Sequence, residues 1–189
     1  MISLLLCFQI VFSVFVLQIH SQEEDVPIVL FETNMENIKC RLREDKHITV
    51  GNYKNHVRQG VYDNIIFHRV ISSFMIQGGN HTRTRYGDQS IHSIPDEFSG
   101  NNHNTRGTIA ITNVGPNTGS NQFFINVVYN SHLDGAHPVF MEGMDVVDEI
   151  SNVNADTNDR SLELITFTDA QIIKEGHLST ITTVAQSIT

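Results

Sequence analysis

From Val26 onward the apolar residues of this 189-residue chain come in short runs bounded by turn-forming residues. This limits the fold more than any other feature, because runs of about three to seven residues suit strands and are too short for stable helices. Residues 26–31 form the first run. After a turn at 33–37, Ile38, Cys40 and Leu42 alternate with Lys39, Arg41 and Arg43, the period of a hairpin with one wet face. Further strands are predicted at 65–71, 74–77, 107–112, 122–128, 138–140 and 162–167. Only two stretches read as helical. In 49–60, Val50, Tyr53 and Val57 share a helix face, with Thr49 placed to cap the start and Gly60 to end it; the second stretch runs over 142–150. Many strands with two minor helices predict an all-β barrel or sandwich of one domain. Residues 80–106 are polar and lack a period, and so long a loop in a compact domain is usually functional.

The N-terminus is of another kind. Of the first 21 residues 15 are apolar and none is Asp, Glu, Lys or Arg, while 23–25 are acidic. Residues 1–21 read as a secretory signal peptide, and the chain would associate with a membrane only if this segment were kept as an anchor. The other 168 residues carry the whole net charge of −9, which argues against a nucleic-acid partner, since phosphate neutralisation needs clustered Lys and Arg. Cleavage would remove Cys7 and leave Cys40 alone, so no intramolecular disulfide is expected. Asn80-His81-Thr82 is an N-glycosylation triplet, expected to be exposed beside the Gly78-Gly79 turn. The tail, 176–189, is polar, is expected to be disordered and ends without a KDEL-type signal. The expected location is the secretory pathway, as a secreted protein or in the endoplasmic reticulum lumen.

Strand parity places candidate chemistry. Phe67, Arg69 and Ile71 share one face of their strand, as do Gln122, Phe124 and Asn126 of theirs. Arg69 can therefore stand on an outer sheet face beside a Gln and a Phe, while His68 and Phe123 face the core. The ten histidines show no H-x-x-H or His–Cys pairing, so no metal is expected. Ser120 and Asp134 near His132 and His137 could suggest a hydrolase, but the G-x-S-x-G elbow is missing.

Four segments, FHRVISSFMIQGG at 67–79, GPNTGSNQFFINV at 115–127, HLDGAHPVF at 132–140 and EGMDVVDEI at 142–150, closely resemble the cyclophilin family of peptidyl-prolyl cis-trans isomerases. The resemblance runs in order over residues 26–175. It implies an eight-stranded antiparallel barrel capped by two α-helices, a groove on the outer face, and an isomerase of X–Pro bonds that assists folding without a cofactor. Carried over by position, Arg69 matches the catalytic arginine. Phe74, Met75, Phe124 and Leu133 match the proline pocket, with His137 at its rim, and Gln77, Thr112, Asn113 and Gln122 match positions that hold the substrate backbone or Arg69. The implied partners are proline-containing polypeptides, and the chain is expected to be a monomer.

Two departures matter. His132 stands where well-studied members carry Trp, which implies weaker binding of cyclosporin-like ligands. Phe140-Met141-Glu142 is about three residues shorter than the family's usual connection, which predicts a truncated strand and lost ladder bonds, each unpaired buried group costing about 1–3 kcal/mol. The alternative function is therefore a catalytically weak proline-peptide binding module, or a chaperone-like interaction protein of the secretory pathway.

Overall fold

In the computed structural model, residues 26–35, 37–83, 90–98, 100–143 and 147–174 are described. The expected leader and tail lie outside them. The first hairpin joins β1 (Ile28–Thr33) to β2 (Ile38–Leu42), whose alternation of buried and exposed residues is the one-wet-face pattern of its sequence. Then come helix α1 (His47–Arg58), β3 (Arg69–Ile71), β4 (Met75–Gly78), β5 (Thr108–Ile111), β6 (Phe123–Asn126), β7 (Val139–Glu142), helix α2 (Val147–Ser151) and β8 (Phe167–Lys174).

All eight strands belong to one sheet in the order β3-β4-β6-β5-β7-β2-β1-β8, with antiparallel pairing throughout. The sheet curls until its ends meet. Ile66 bridges Thr166, with Phe67 N donating to Ile165 O at 3.1 Å and Phe167 N to Ile65 O at 2.9 Å. Closure of this kind removes the exposed edges of an open sheet. The interior is filled by rings: Phe31 lies 5.6 Å from Phe123 and 5.1 Å from Phe167, and Tyr53 lies 5.0 Å from Tyr62 and 5.3 Å from Phe140. Helix α1 contributes Val50, Tyr53 and Val57 to this core.

Several local expectations change. Helix α1 begins at His47, before Thr49, and has no local side-chain cap. Its cap is Glu97, 48 residues away from Thr49: the carboxylate accepts Ile48 N at 3.0 Å, Thr49 N at 2.6 Å and Thr49 Oγ1 at 2.7 Å. A residue that satisfies free N–H groups of a first turn contributes about 1–2 kcal/mol. Glu97→Ala is expected to lower stability by about that amount in a thermal melt.

The strand predicted at 65–71 is regular only over Arg69–Ile71, because 65–67 turn away to close the sheet. Phe67 consequently joins the core instead of sharing the face of Arg69. The last strand starts where it was expected to end, at Phe167, and Leu162 and Leu164 are exposed. Asn80 is fully buried rather than exposed, its amide oxygen accepting Thr82 N at 3.1 Å and Thr82 Oγ1 at 2.9 Å. Of the two neighbouring glycines, Gly79 has the positive φ expected of the turn, +92°, and Gly78 belongs to β4.

The short connection after Phe140 does not cost the barrel its strand. The segment predicted to open a helix at Glu142 is instead the end of β7, and among the described residues helix α2 covers Val147–Ser151. β7 pairs on both sides: Met141 opposes Leu42 of β2 and Ile109 of β5, and Glu142 opposes Arg41 and Thr108. Arg43 N donates to Phe140 O at 2.9 Å and Gly143 N to Gly107 O at 2.9 Å. Gly143 lies close against β2, where a Cβ would stand 2.6 Å from Lys39 O and 2.9 Å from Cys40 Sγ. Only glycine fits there without displacing β2.

Candidate active site

Antiparallel register puts every second residue of neighbouring strands on the same face. Across four neighbouring strand pairs, Arg69 opposes Gln77, Gln77 opposes Phe124, Phe124 opposes Ala110 and Ala110 opposes Val139. Their neighbours Val70, Ile76, Phe123 and Ile109 belong to the main core. The row is therefore the outer face of the sheet. There Met75, Ala110, Phe124 and Val139 form a second apolar cluster, separate from the core, with Ile71, Phe74 and Leu133 partly buried against it.

Loops raise walls around this cluster. Phe74 lies in the turn between β3 and β4, and a 3-10 turn, Ser131–Leu133, carries His132 and Leu133. The His132 ring stacks on Phe74 with centroids 5.8 Å apart and planes at 21°. His137 stands perpendicular to Phe124 at 5.3 Å. Its Nδ1 lies 3.1 Å from the carbonyl oxygen of Ile111, which only accepts, so Nδ1 carries the proton when the ring is neutral.

The polar end of the row begins at Arg69, whose side chain is about one third exposed. The buried Gln77 amide donates to Gln122 Oε1 at 3.2 Å, rather than reaching across to Arg69. Thr112 N donates to Gln122 O at 2.9 Å, and the Thr112 hydroxyl is buried without a partner. Asn113 Nδ2 donates to Ala136 O at 2.7 Å, tying the end of β5 to the wall loop. The residues expected at the site thus converge on one outer face: Arg69, Gln77 and Gln122 at one end, Phe74, Met75, Phe124, Leu133 and His132 around the apolar cluster, and Thr112, Asn113 and His137 along its margin.

Asn102 and Asn130, which hold these walls, are not singled out from the sequence, and Asp134 enters there only as a possible hydrolase residue. Asn102 Oδ1 accepts Val139 N at 2.8 Å, and Asn130 Nδ2 donates to Phe74 O at 3.0 Å and to Asn126 Oδ1 at 2.7 Å. Asp134 accepts Asn104 N at 2.7 Å and Tyr129 Oη at 3.1 Å, and pairs with His103 Nδ1 at 2.8 Å. Partial burial would push the Asp134 carboxyl up, but the hydrogen bonds from Asn104, His103 and Tyr129 outweigh it and hold the pKa at about 2. Asp134 is therefore an anchor for the 131–137 loop, not a triad acid. The sequence shows it only as an acid close to His132 and His137, without the partners from 103, 104 and 129 that give it this role.

Burial lowers the pKa of His137 below the ordinary histidine value of 6.5; His132 acts in the same direction, against the Ile111 carbonyl and Asp96. Burial also lowers that of His56. Below 6.5 the unfolded chain thus binds protons at these positions more readily than the fold does. Their contribution to stability is complete above the ordinary value and is lost as pH falls through the window beneath it. The melting temperature is expected to hold steady above pH 6.5 and to drop below it, with a shallower drop in His137→Gln; an equal drop would place the linkage elsewhere.

Comparison with known proteins gives a consistent result. The family model described as cyclophilin type peptidyl-prolyl cis-trans isomerase/CLD matches residues 28–172. The chain is 34% identical over 155 residues to peptidyl-prolyl cis-trans isomerase-like 1 of Aspergillus fumigatus, covering 78% of this chain and 96% of that one. It is 42% identical over 139 residues to peptidyl-prolyl cis-trans isomerase CYP71 of Arabidopsis thaliana, spanning 70% of this chain but only 22% of that protein. A crystal structure of a Cryptosporidium parvum cyclophilin type peptidyl-prolyl cis-trans isomerase, obtained in the presence of the dipeptide Ala-Pro, superposes with a TM-score of 0.72 at 27% identity, covering 77% of this chain and 98% of that one.

Proposed function

Because this chain belongs to the cyclophilin-type peptidyl-prolyl cis-trans isomerase family, and is by that membership an isomerase, we propose that the outer-face row from Arg69 to Val139 is its active site. Rotation about an X–Pro bond must break amide resonance, against a barrier of about 18–20 kcal/mol. No bond is cleaved, so the requirement is a surface that binds the twisted amide better than either planar form. The apolar cluster of Met75, Phe124 and Leu133, walled by Phe74, receives the proline ring. Arg69 stands two strands from Phe124, with Gln77 between them in register, where its guanidinium donates to the pyramidal prolyl nitrogen as that atom's lone pair is freed. Asn113, Thr112 and Gln122 present main-chain and amide groups to the flanking peptide, and His137 closes the rim. Proline-containing polypeptides are the substrate class, in line with the Ala-Pro dipeptide of the Cryptosporidium protein's structure.

The observation that carries this reading is the register itself: one arginine and one separate apolar pocket on the same outer face. The competing reading, a binding module without turnover, rested on a damaged strand behind His137, and the two-sided pairing of β7 removes its motive. The uncharged apolar leader supports action in the secretory pathway. The test is exchange between cis and trans isomers of a proline peptide, followed by NMR without a coupled protease, with the full chain and with Arg69→Ala. Peptide binding without faster exchange would establish the binding module instead.

A further inference from the structure

We propose that Asp159 is a positioning residue for isomerisation, acting through Arg69. This rests on the reading of Arg69 given above, and on a contact between residues 90 positions apart in the chain. Asp159 Oδ2 lies 3.4 Å from Arg69 Nε, and Asp159 O accepts Val70 N at 2.7 Å. One residue thus grips two consecutive positions of β3, one through its side chain and one through its main chain.

The turn that presents it is built for the purpose. Asp156 Oδ1 accepts Asn158 N at 2.7 Å and Arg160 N at 3.0 Å, Asp156 N donates to Arg160 O at 2.8 Å, and Ala155 bridges Ser161. Asp159 itself has φ +59°. Gly, Asn and Asp all tolerate that backbone, so the turn alone does not explain a carboxylate there. Nor does stability, because both partners are substantially exposed, at 34% and 43%, and exposed ion pairs contribute little.

What the carboxylate does is orient. An arginine has five N–H donors in a planar fork. Holding the single Nε–H fixes the plane of the guanidinium and leaves the four hydrogens of the terminal nitrogens for the substrate. The acceptor that faces Arg69 Nε is Asp159 Oδ2, presented from outside the sheet, while the cross-strand neighbour Gln77 turns its amide nitrogen to Gln122.

The test compares Asp159→Gly and Asp159→Asn in the full chain. Glycine keeps the positive φ and the bond to Val70 while deleting the carboxylate; asparagine keeps an acceptor without the charge. For Asp159→Gly, kcat is expected to fall about tenfold with KM little changed, since the loss is one of orientation. Asp159→Asn should recover part of that loss, and the NMR signal of Arg69 Nε–H should move in Asp159→Gly. In an Arg69→Ala background, Asp159→Gly should change nothing further. Unchanged kcat in Asp159→Gly, or an equal fall in both backgrounds, would overturn the proposal. If Arg69→Ala itself were fully active, the assignment of Arg69 would fail first and take this one with it, an outcome distinct from the other two.

Discussion

Arg69→Ala is expected to lower kcat/KM for an X–Pro peptide by about 100- to 1,000-fold, the usual effect of removing one preorganised donor from a site of developing charge, or roughly 3–4 kcal/mol of transition-state stabilisation. The fall should appear in kcat more than in KM, because the planar substrate makes little use of a donor aimed at the prolyl nitrogen. Folding should be almost unaffected. The side chain is about one third exposed and its ion partner is on the surface, so the melting temperature should move by no more than a few degrees. Arg69→Lys should recover little, since an ammonium keeps the charge but loses the planar fork. Wild-type kcat/KM in Arg69→Ala would mean that the pocket and its peptide-holding groups act without this donor.

The second large effect is expected one face away. Phe123 and Phe124 are adjacent in sequence and both are buried, yet they serve different structures. Phe123 lies 5.6 Å from Phe31, 5.9 Å from Tyr62 and 6.0 Å from Phe167, inside the barrel. Its replacement by Ala should cost about 3–5 kcal/mol, from lost burial and the cavity left behind. In a chain of this length that corresponds to roughly 6–20 °C in melting temperature. Phe124→Ala removes the floor of the proline pocket instead, so it should raise KM and lower kcat/KM at a smaller thermal cost. The two variants, compared by circular dichroism melts and by the exchange assay, should show opposite profiles. Equal profiles would refute the division between an inner core and an outer pocket.

That division was visible in the sequence because it follows from a period of two. The alternation in 122–128 separates Phe123 from Phe124, and the same reasoning places Arg69 outside. It failed at Phe67, where the strand is interrupted so that Ile66 can bridge Thr166, a pairing across about a hundred residues that no local period reports. The start of α1 is hidden for the same reason, since its cap is supplied by Glu97 from a loop without any period of its own. The asparagines behind the pocket, and Asp159 beside Arg69, are likewise polar residues in irregular segments. Their significance lies in partners far away along the chain. The three-residue shortening after Phe140 is legible as a departure, but its effect is not: four residues suffice for β7 because both neighbouring strands pair with it, and Gly143 fits close against β2.

The closure of the sheet between Ile66 and Thr166 has a kinetic meaning. With the inside of the barrel filled by aromatic rings, a substrate has nothing to thread. A pocket on the outer face of the sheet can meet a proline in the middle of a chain of any length, with no free end required. Turnover on long unfolded polypeptides should then be set by how often an X–Pro bond lands on the pocket, so the rate per proline should be nearly independent of how far that proline lies from either terminus.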